Sequence, residues 1–190
     1  ENAMKPAAVF SIAISSLAAL MTAGSADAAD NVSSFYQGRQ MRMIIFASAG
    51  GGYDSYARLL DRHIINHIPG RPSIVATNMP GAGGIKAINY VAKSAPADGS
   101  VLTIVNQGIP MHQALRKKGL QTDISVFNWI GNISYSNQTF ATWAASGIKT
   151  IGDARKREVV VGATGIGSSA AQLPAAYNYL LDTKLKLIVG

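Results

Sequence analysis

Between residues 41 and 105, the spacing of apolar residues alternates between a pattern typical of strands and a pattern typical of helices. Short apolar runs of strand length alternate with segments whose apolar side chains recur every three or four residues, as on one face of a helix. The predicted elements are strands at 41–46, 74–76 and 101–105 and helices at 54–68 and 85–92. This alternation predicts an α/β fold in which helices cover the faces of a mainly parallel sheet.

The pattern continues with less regularity towards the C-terminus. Short helices are predicted at 111–118 and 151–157, strands at 127–133, 139–144, 159–162 and 185–189, and a longer helix at 170–182. The strands at 127–133 and 139–144 are expected to lead into a second lobe. Four aromatic residues at strand spacing are expected to lie in the core or at a lobe interface, namely Trp129, Tyr135, Phe140 and Trp143.

Composition excludes several classes of protein. Of the 190 residues, 48% are hydrophobic and 14% are charged, which is too apolar for an intrinsically disordered chain. There is no cysteine, so disulfides, thiolate catalysis, cysteine-ligated zinc and iron–sulfur clusters are excluded. The net charge of +7 favours an anionic partner. The basic clusters at 116–118 and 155–157 end short predicted helices, where cations suit the helix dipole, so they do not indicate a nucleic-acid site.

The N-terminus carries the features of a secreted precursor. Residues 1–3 precede a methionine and are interpreted as the remnant of an expression tag. Residues 4–28 are predicted to be a cleavable signal peptide, because an apolar run at 7–20 follows a basic start and small residues, Ala26 and Ala28, occupy the −3 and −1 positions of a cleavage site. The run is shorter than the ~20 residues that a transmembrane span needs. The mature chain is therefore expected to work outside the cytoplasm.

Three loops share one design that suits anion binding. Each follows a predicted strand, is rich in small residues and leads into a helix; they comprise residues 48–54, 78–84 and 164–169. Helix N-termini present unpaired N–H groups and about half a positive charge, and glycine lets a ligand approach the backbone. In a parallel sheet such loops meet at the carboxyl edge of the strands. The alternative is that the glycines only form tight turns.

No residue pattern indicates catalysis or metal binding. Asp54 is expected to cap its helix and to pair with Arg58 four residues later, with no acid or base partner for chemistry. His63 and His67 lack the glutamate of a metalloprotease helix and are interpreted as surface histidines. Residues 165–170 fit the G-x-G-x-x-A fingerprint of dinucleotide-binding proteins, so a Rossmann-type dinucleotide enzyme is the alternative function.

Four motifs resemble the periplasmic substrate-binding receptors of tripartite tricarboxylate transporters, the Bug family. They are a small-Gly-Gly-Gly-x-Asp loop at 49–54, Asn-x-Pro-Gly-Ala-Gly-Gly at 78–84, a Pro-Ala-Asp-Gly turn at 96–99 and a Gly/Ser-rich loop at 163–169. Their order and spacing are similar to those of the family over about residues 40–190. The turn has one inserted alanine, and Ser100 stands where the family usually has tyrosine.

The resemblance implies a two-lobed, periplasmic-binding-protein-like (Venus flytrap) fold without catalytic activity. Residues 29–125 would form the first lobe, and residues 126–190 would form part of the second. The implied function is that of a periplasmic receptor that captures a di- or tricarboxylate, an acidic amino acid or an aromatic acid for the membrane subunits of a tripartite transporter. No cofactor, metal or nucleic acid is expected. The ligand-binding residues carried over by position are Ala49, Gly50, Gly51, Gly52, Tyr53, Asp54, Asn78, Gly81, Ala82, Gly83, Thr164, Gly165, Gly167, Ser168 and Ser169.

The family chain continues beyond the strand that matches residues 185–189, so the second lobe is expected to be incomplete here. An uncovered sheet edge and an uncovered sheet face favour self-association, which predicts a dimer or a higher assembly. A truncated remnant without ligand function is a further alternative.

Overall fold

The computed structural model describes residues 31–135 and 137–190, and the predicted tag remnant and signal peptide lie outside the described residues. The strands are β1 (Gln40–Ile45), β2 (Ser73–Asn78), β3 (Val101–Ile104), β4 (Val159–Ala163) and β5 (Leu185–Val189). The helices are α1 (residues 31–36), α2 (Gly52–Ile64), α3 (Ile85–Lys93), α4 (Ile109–Ala114), α5 (Ile151–Lys156) and α6 (Ser169–Leu181). These five strands match five of the seven that the sequence predicts.

The strands form two small sheets. β1 lies between β2 and β3 in a three-stranded sheet, and β4 pairs with β5 in a two-stranded sheet. β1 and β3 are parallel in a register that pairs Arg42 with Val101, and β4 and β5 are parallel in a register that pairs Val159 with Leu185. A parallel pair needs a crossover between its strands, and helices lie in both crossovers. The predicted α/β class with mainly parallel strands is confirmed.

The chain divides into two compact units. Among the described residues, the first unit comprises 31–41 and 62–74, and the second comprises 42–61 and 75–190. In the first unit, the Arg39 guanidinium carbon lies 3.9 Å from the centroid of the Phe35 ring. The Ser73 N–H donates to the Arg39 carbonyl oxygen over 3.1 Å. The predicted lobes follow a different boundary and stay a prediction.

In the described part of the second unit, buried apolar residues form clusters of which three are given below. The first contains Ile44, Phe46 and Ala87, the second contains Ile85, Ile88, Ile109 and Ile124, and the third contains Ile148, Ala154 and Leu185. The first two join β1 to α3 and α3 to α4. The third covers one face of the β4–β5 pair. β1 is the most deeply buried strand because it is the central one of its sheet.

Helix α2 buries a different face from the one that its apolar spacing predicts. Asp54, Ala57 and Asp61 are its buried residues, whereas Tyr56 and Leu59 are about half exposed. Asp54 turns inwards because its carboxylate bonds to groups on neighbouring segments, and the small Ala57 allows close approach beside it. Polar anchoring therefore orients this helix more strongly than burial of its large apolar side chains.

The segments 127–133 and 139–144 are irregular, so the two strands predicted there are wrong. The aromatic residues expected in the core are exposed, with exposed fractions of 54% for Trp129, 92% for Tyr135, 40% for Phe140 and 81% for Trp143. A period-two pattern becomes a strand only where a neighbouring strand supplies hydrogen-bond partners. Here the Thr142 hydroxyl instead donates to the Ile148 carbonyl oxygen over 2.7 Å.

Candidate functional site

The first loop, residues 48–54, leads from β1 into the first turn of α2 and leaves its three glycines exposed. Gly50 has a φ of +83°, in the left-handed region that favours glycine. Gly51 and Gly52 have no such requirement. A Cβ atom at Gly52 would have open space around it, and one at Gly51 would meet only the Ser48 carbonyl oxygen, at 3.5 Å. Backbone conformation therefore explains why residue 50 is glycine. At Gly51 and Gly52 the absence of a side chain leaves the backbone at the start of α2 accessible.

Asp54 holds the first loop to α2 and to the end of β2. Its carboxylate accepts hydrogen bonds from the Gly50 N–H at 2.9 Å, the Arg58 Nε at 3.0 Å and the Asn78 side-chain amide at 2.8 Å. Arg58 also donates to the Asn78 side-chain oxygen at 2.9 Å, and the Asn78 amide donates to the Ala47 carbonyl oxygen at 2.9 Å. The predicted pair of Asp54 with Arg58 is confirmed.

The charge of Asp54 is compensated within this network. The Arg58 guanidinium, followed by the Gly50 N–H and the Asn78 amide, holds the pKa of the Asp54 carboxyl well below its usual range. The Asp54 side chain is 6% exposed, so its oxygens face protein donors rather than solvent. Asp54, one of the predicted ligand-binding residues, therefore uses its carboxylate to hold the first loop through the Gly50 N–H.

Tyr53 packs into the core beside the first loop. Its ring lies edge-on to Phe46, with centroids 4.5 Å apart and planes at 67°. Met79, on the second loop, belongs to the same cluster. Tyr53 is therefore half-buried, whereas Ala49 is exposed on the loop. The sequence motifs of the first two loops are joined both by this cluster and by the Arg58–Asn78 hydrogen bond.

The second loop, residues 78–84, and the third loop, residues 164–169, pack backbone against backbone. Gly165 has a φ of +147°, and a Cβ atom there would collide with the Gly83 nitrogen. A Cβ atom at Gly83 would lie 2.6 Å from the Ser168 nitrogen. The Gly167 N–H donates to the Ala82 carbonyl oxygen over 3.3 Å. Glycine is required at these positions because the backbone of the other loop approaches closely. Gly83, Gly165 and Gly167 are buried in this contact, whereas Gly81, Ala82 and Thr164 are exposed.

Two residues that sequence reasoning missed complete this junction. A Cβ atom at Gly108 would lie 2.6 Å from the Gly167 carbonyl oxygen, so this glycine is also required by close packing. The Gln172 side-chain amide donates to the carbonyl oxygens of Gly108 at 3.0 Å and Gly167 at 3.3 Å. The sequence carries no signal for Gln172, because its partners lie on separate loops.

The two serines of the third motif have different roles. The Ser168 hydroxyl is buried and donates to the Gly165 carbonyl oxygen over 2.7 Å, which closes the turn before α6. The Ser169 hydroxyl lies 3.3 Å from the Gln138 side-chain oxygen and 3.4 Å from the Gln107 side-chain nitrogen. Among the predicted ligand-binding residues of this loop, Ser169 is therefore the one whose side chain contacts exposed polar side chains, those of Gln107 and Gln138.

Among the described residues, none of the hydrogen bonds given above for the three loops involves a histidine side chain. His63 and His67 are exposed, and His112 is fully buried with its Nε2 3.1 Å from the Lys118 carbonyl oxygen. Among the residues that the structure describes, no group of three or more histidine or acidic side chains is placed to hold a metal ion. No helix within 31–135 or 137–190 is long and apolar enough to cross a membrane.

A cleft of about 410 Å³ lies beside β4, and its lining includes Gln138, which the Ser169 hydroxyl contacts at 3.3 Å. It is bounded by the irregular residues 138–143, by residues 159–162 of β4 and by the side chains of Leu173 and Tyr177 on α6. None of its lining residues carries an ionised side chain. We call it the β4 cleft.

The three loops are thus brought into one connected region of the second unit, with the first loop exposed and the second and third loops in contact. The Asp54–Arg58–Asn78 network holds the first loop. No protein-family model matches the chain, and no curated protein matches it either.

Proposed function

We propose that the protein is a non-catalytic receptor for a small organic carboxylate. The observation that carries the proposal is the exposed glycine backbone of the first loop at the start of the thirteen-residue helix α2. The first N–H groups of a helix have no acceptor within it and bear about half a positive charge, so they suit a carboxylate. Gly51 and Gly52 leave room for a ligand to reach this backbone.

The network beneath the loop supports the same function. An ionised Asp54 in the first turn of α2 would repel an anionic ligand if its charge were uncompensated. Arg58 bonds to both of its carboxylate oxygens at 3.0 Å and removes most of that repulsion. Asn78 ties the pair to the end of β2, so the loop is held in one conformation before the ligand arrives. Preorganisation of this kind lowers the entropic cost of binding.

The motif resemblance extends the proposal to a biological setting. A periplasmic receptor of the Bug type with two lobes would take di- or tricarboxylates, acidic amino acids or aromatic acids and deliver them to the membrane subunits of a tripartite transporter. The parallel α/β architecture is compatible with such a fold. The protein would need no metal or cofactor, because backbone N–H groups supply the binding energy.

The dinucleotide enzyme is the second candidate, since the third loop matches its glycine fingerprint. In that fold the glycines leave room for the pyrophosphate. Here Gly165 and Gly167 are covered by the second loop, which occupies the corresponding space. This packing favours the carboxylate receptor over the enzyme.

Titration calorimetry of the full chain against citrate, succinate, glutamate, benzoate and NADH tests the proposal. We expect at least one carboxylate to bind and NADH not to bind. Gly51→Val places a branched side chain over the loop and should weaken binding at least tenfold. Gly131→Val is the matched control, because a Cβ atom at Gly131 also has open space but lies far along the chain from the loop. Absence of carboxylate binding, or an unchanged affinity in Gly51→Val, would overturn the proposal.

A further inference from the structure

The carboxyl ends of β1 and β3 lie side by side, about 4.8 Å apart, at the sheet edge that carries the first loop. β1 is the central strand, and the chain leaves it towards β2 on one side while β3 lies on the other. Parallel sheets bind ligands where the strand order reverses in this way. The register pairs Ile45 with Ile104, so Ser48 and Gln107 each follow the last paired residue by three positions. Gln107 therefore leaves the sheet beside the first loop.

The backbone on both sides of Gln107 is fixed by close contacts. The side-chain oxygen of the buried Asn106 accepts a hydrogen bond from the Gly108 N–H over 2.8 Å, which closes a turn around Gln107. A Cβ atom at Gly108 would lie 2.6 Å from the Ser169 nitrogen, so the turn packs directly against the start of α6. The Gln107 side chain is exposed, and a rigid backbone therefore presents it at the surface.

The Gln107 amide meets polar side chains from two other segments. Its nitrogen lies 3.4 Å from the Ser169 hydroxyl oxygen, and this oxygen lies 3.3 Å from the Gln138 side-chain oxygen. Both distances exceed those of typical hydrogen bonds, so the contacts are weak and a ligand group can replace them. Gln138 also lines the β4 cleft, and both glutamines are exposed. The three side chains offer hydrogen-bond donors and acceptors without a charge.

We infer that Gln107 selects the ligand of the first loop by the uncharged end of that ligand. The inference rests on the proposed function and narrows it. The carboxylate binds at the start of α2, and a neutral amide or hydroxyl group at the far end of the ligand bonds to Gln107 and Ser169. A second ionised carboxylate there would lose water without gaining a counter-charge from these side chains, which weakens binding. The substrate class is therefore a monocarboxylic acid with a terminal amide or hydroxyl group.

Three acids of similar length test this inference by titration calorimetry of the full chain at neutral pH. Succinamate carries a terminal amide, succinate replaces it by a second carboxylate, and 4-methylpentanoate replaces it by an isopropyl group of similar shape. We expect succinamate to bind at least tenfold more tightly than either of the others. Equal affinities would overturn the inference and leave the proposed function intact, because each acid would still bind through its carboxylate. Absence of succinamate binding would also overturn the inference, and the ligand panel for the proposed function then decides that function separately.

Substitutions at Gln107 locate the selectivity. Gln107→Leu keeps the size of the side chain and removes its amide, so succinamate should lose its advantage, while 4-methylpentanoate should bind within about threefold of its wild-type affinity and thereby report an intact site. Gln107→Lys adds a counter-charge and should shift the preference towards succinate at least tenfold. Gln37→Lys, the same exchange at an exposed glutamine of the first unit, is the matched control and should leave the preference unchanged. An equal loss of affinity for all three acids in Gln107→Leu, or an unchanged preference in Gln107→Lys, would overturn the inference.

Discussion

Arg58 connects three parts of the candidate site through one guanidinium group. It bonds to both oxygens of Asp54, which in turn holds the Gly50 N–H, and it reaches Asn78 at the end of β2. Charge-assisted hydrogen bonds of this kind are about twice as strong as neutral ones. At the residue scale, the loop conformation and its electrostatic potential therefore depend on the same side chain.

We expect Arg58→Gln to lower carboxylate affinity at least tenfold, because Asp54 would remain ionised beside the ligand without its counter-charge. The double variant Asp54→Asn with Arg58→Gln removes both charges and should recover most of the affinity. Calorimetry measures both, with Arg62→Gln, a charge loss on the last turn of the same helix, as the control. If the double variant binds no better than the single one, Arg58 acts through loop geometry rather than through charge.

Asp61 is a second acidic residue on α2. Its surroundings shift its pKa in the opposite direction from the shift at Asp54. Burial raises the pKa of its carboxyl, and its Oδ1 has no hydrogen-bond partner in the described part of the chain. A folded-state pKa above the unfolded value means that ionisation favours the unfolded state as pH rises past about 4. Asp61 thus lowers stability at neutral pH.

Asp61→Asn should therefore raise the melting temperature at pH 7, and the gain over the wild type should shrink as the pH falls towards 4. Thermal melts at both pH values test this. Asp182→Asn is the control, because Asp182 is a largely exposed partner of Arg155, at 3.6 Å, and its loss should change little. A lower melting temperature for Asp61→Asn at pH 7 would contradict the expectation.

At the scale of elements, contact between the second and third loops explains why glycine occurs where it does. Gly83, Gly165, Gly167 and Gly108 each lie where a Cβ atom would overlap the backbone of another segment. The loops are therefore fixed by main-chain packing, with Gln172 supplying hydrogen bonds across the junction. This arrangement stabilises the contact between the second motif and α6.

Gly165→Ala should destabilise the protein by about 3 kcal/mol or more, since the new Cβ meets the Gly83 nitrogen and the backbone has a positive φ. Gly162→Ala on β4 is the control. A Cβ atom at Gly162 would have open space and the backbone φ is ordinary, so this variant should change stability by less than about 1 kcal/mol. Urea unfolding of the two variants and the wild type measures the difference. Similar midpoints for both variants would show that the loops are not in contact.

Gln172→Leu should cost about 1–3 kcal/mol, because the carbonyl oxygens of Gly108 and Gly167 would lose a buried donor. The same urea titration measures this cost. Gln121→Leu is the control, since Gln121 is exposed and bonds to Lys93 at 2.8 Å on the surface. An effect no larger than that of the control would mean that the junction does not depend on this amide.

At the scale of the whole molecule, two exposed apolar side chains lie on the outward face of the β4–β5 pair. Val160 and Ile188 are 64% and 53% exposed on that face, opposite the cluster that contains Leu185. Parallel sheets are normally covered on both faces, and bare apolar faces favour association. The expectation of self-association from the sequence therefore has a specific candidate surface.

We expect the purified chain to self-associate through this face, with a weight-average mass that rises with concentration in sedimentation experiments. Ile188→Lys should shift it towards monomer, because it replaces an exposed apolar side chain of this face with a charged one. Tyr179→Lys, at an 86% exposed position on α6, is the control and should leave the assembly unchanged. A monomer at all concentrations in the wild type would contradict the prediction.

Local patterns determined the parts of this protein that depend on neighbours along the chain. The spacing of apolar residues predicted β1 to β5 and helices α2, α3, α5 and α6 with small shifts at their ends, and the four-residue spacing of Asp54 and Arg58 predicted their pair. The signal peptide and the carboxylate ligand stay predictions. These successes share one reason: helix and strand periodicity, and i,i+4 contacts, are set within a few residues.

Tertiary structure alone decided what required contacts between distant segments. Tyr56 and Leu59 are exposed because the polar network of Asp54 turns α2, and the segments 127–133 and 139–144 remain irregular because no strand pairs with them in the described part of the chain. Gly83 and Gly165 are glycines because their loops meet, and Gln172 joins carbonyl groups that lie far apart in the sequence. Burial, strand pairing and close backbone packing depend on which segments approach each other, and the pattern of a single segment does not specify its partner.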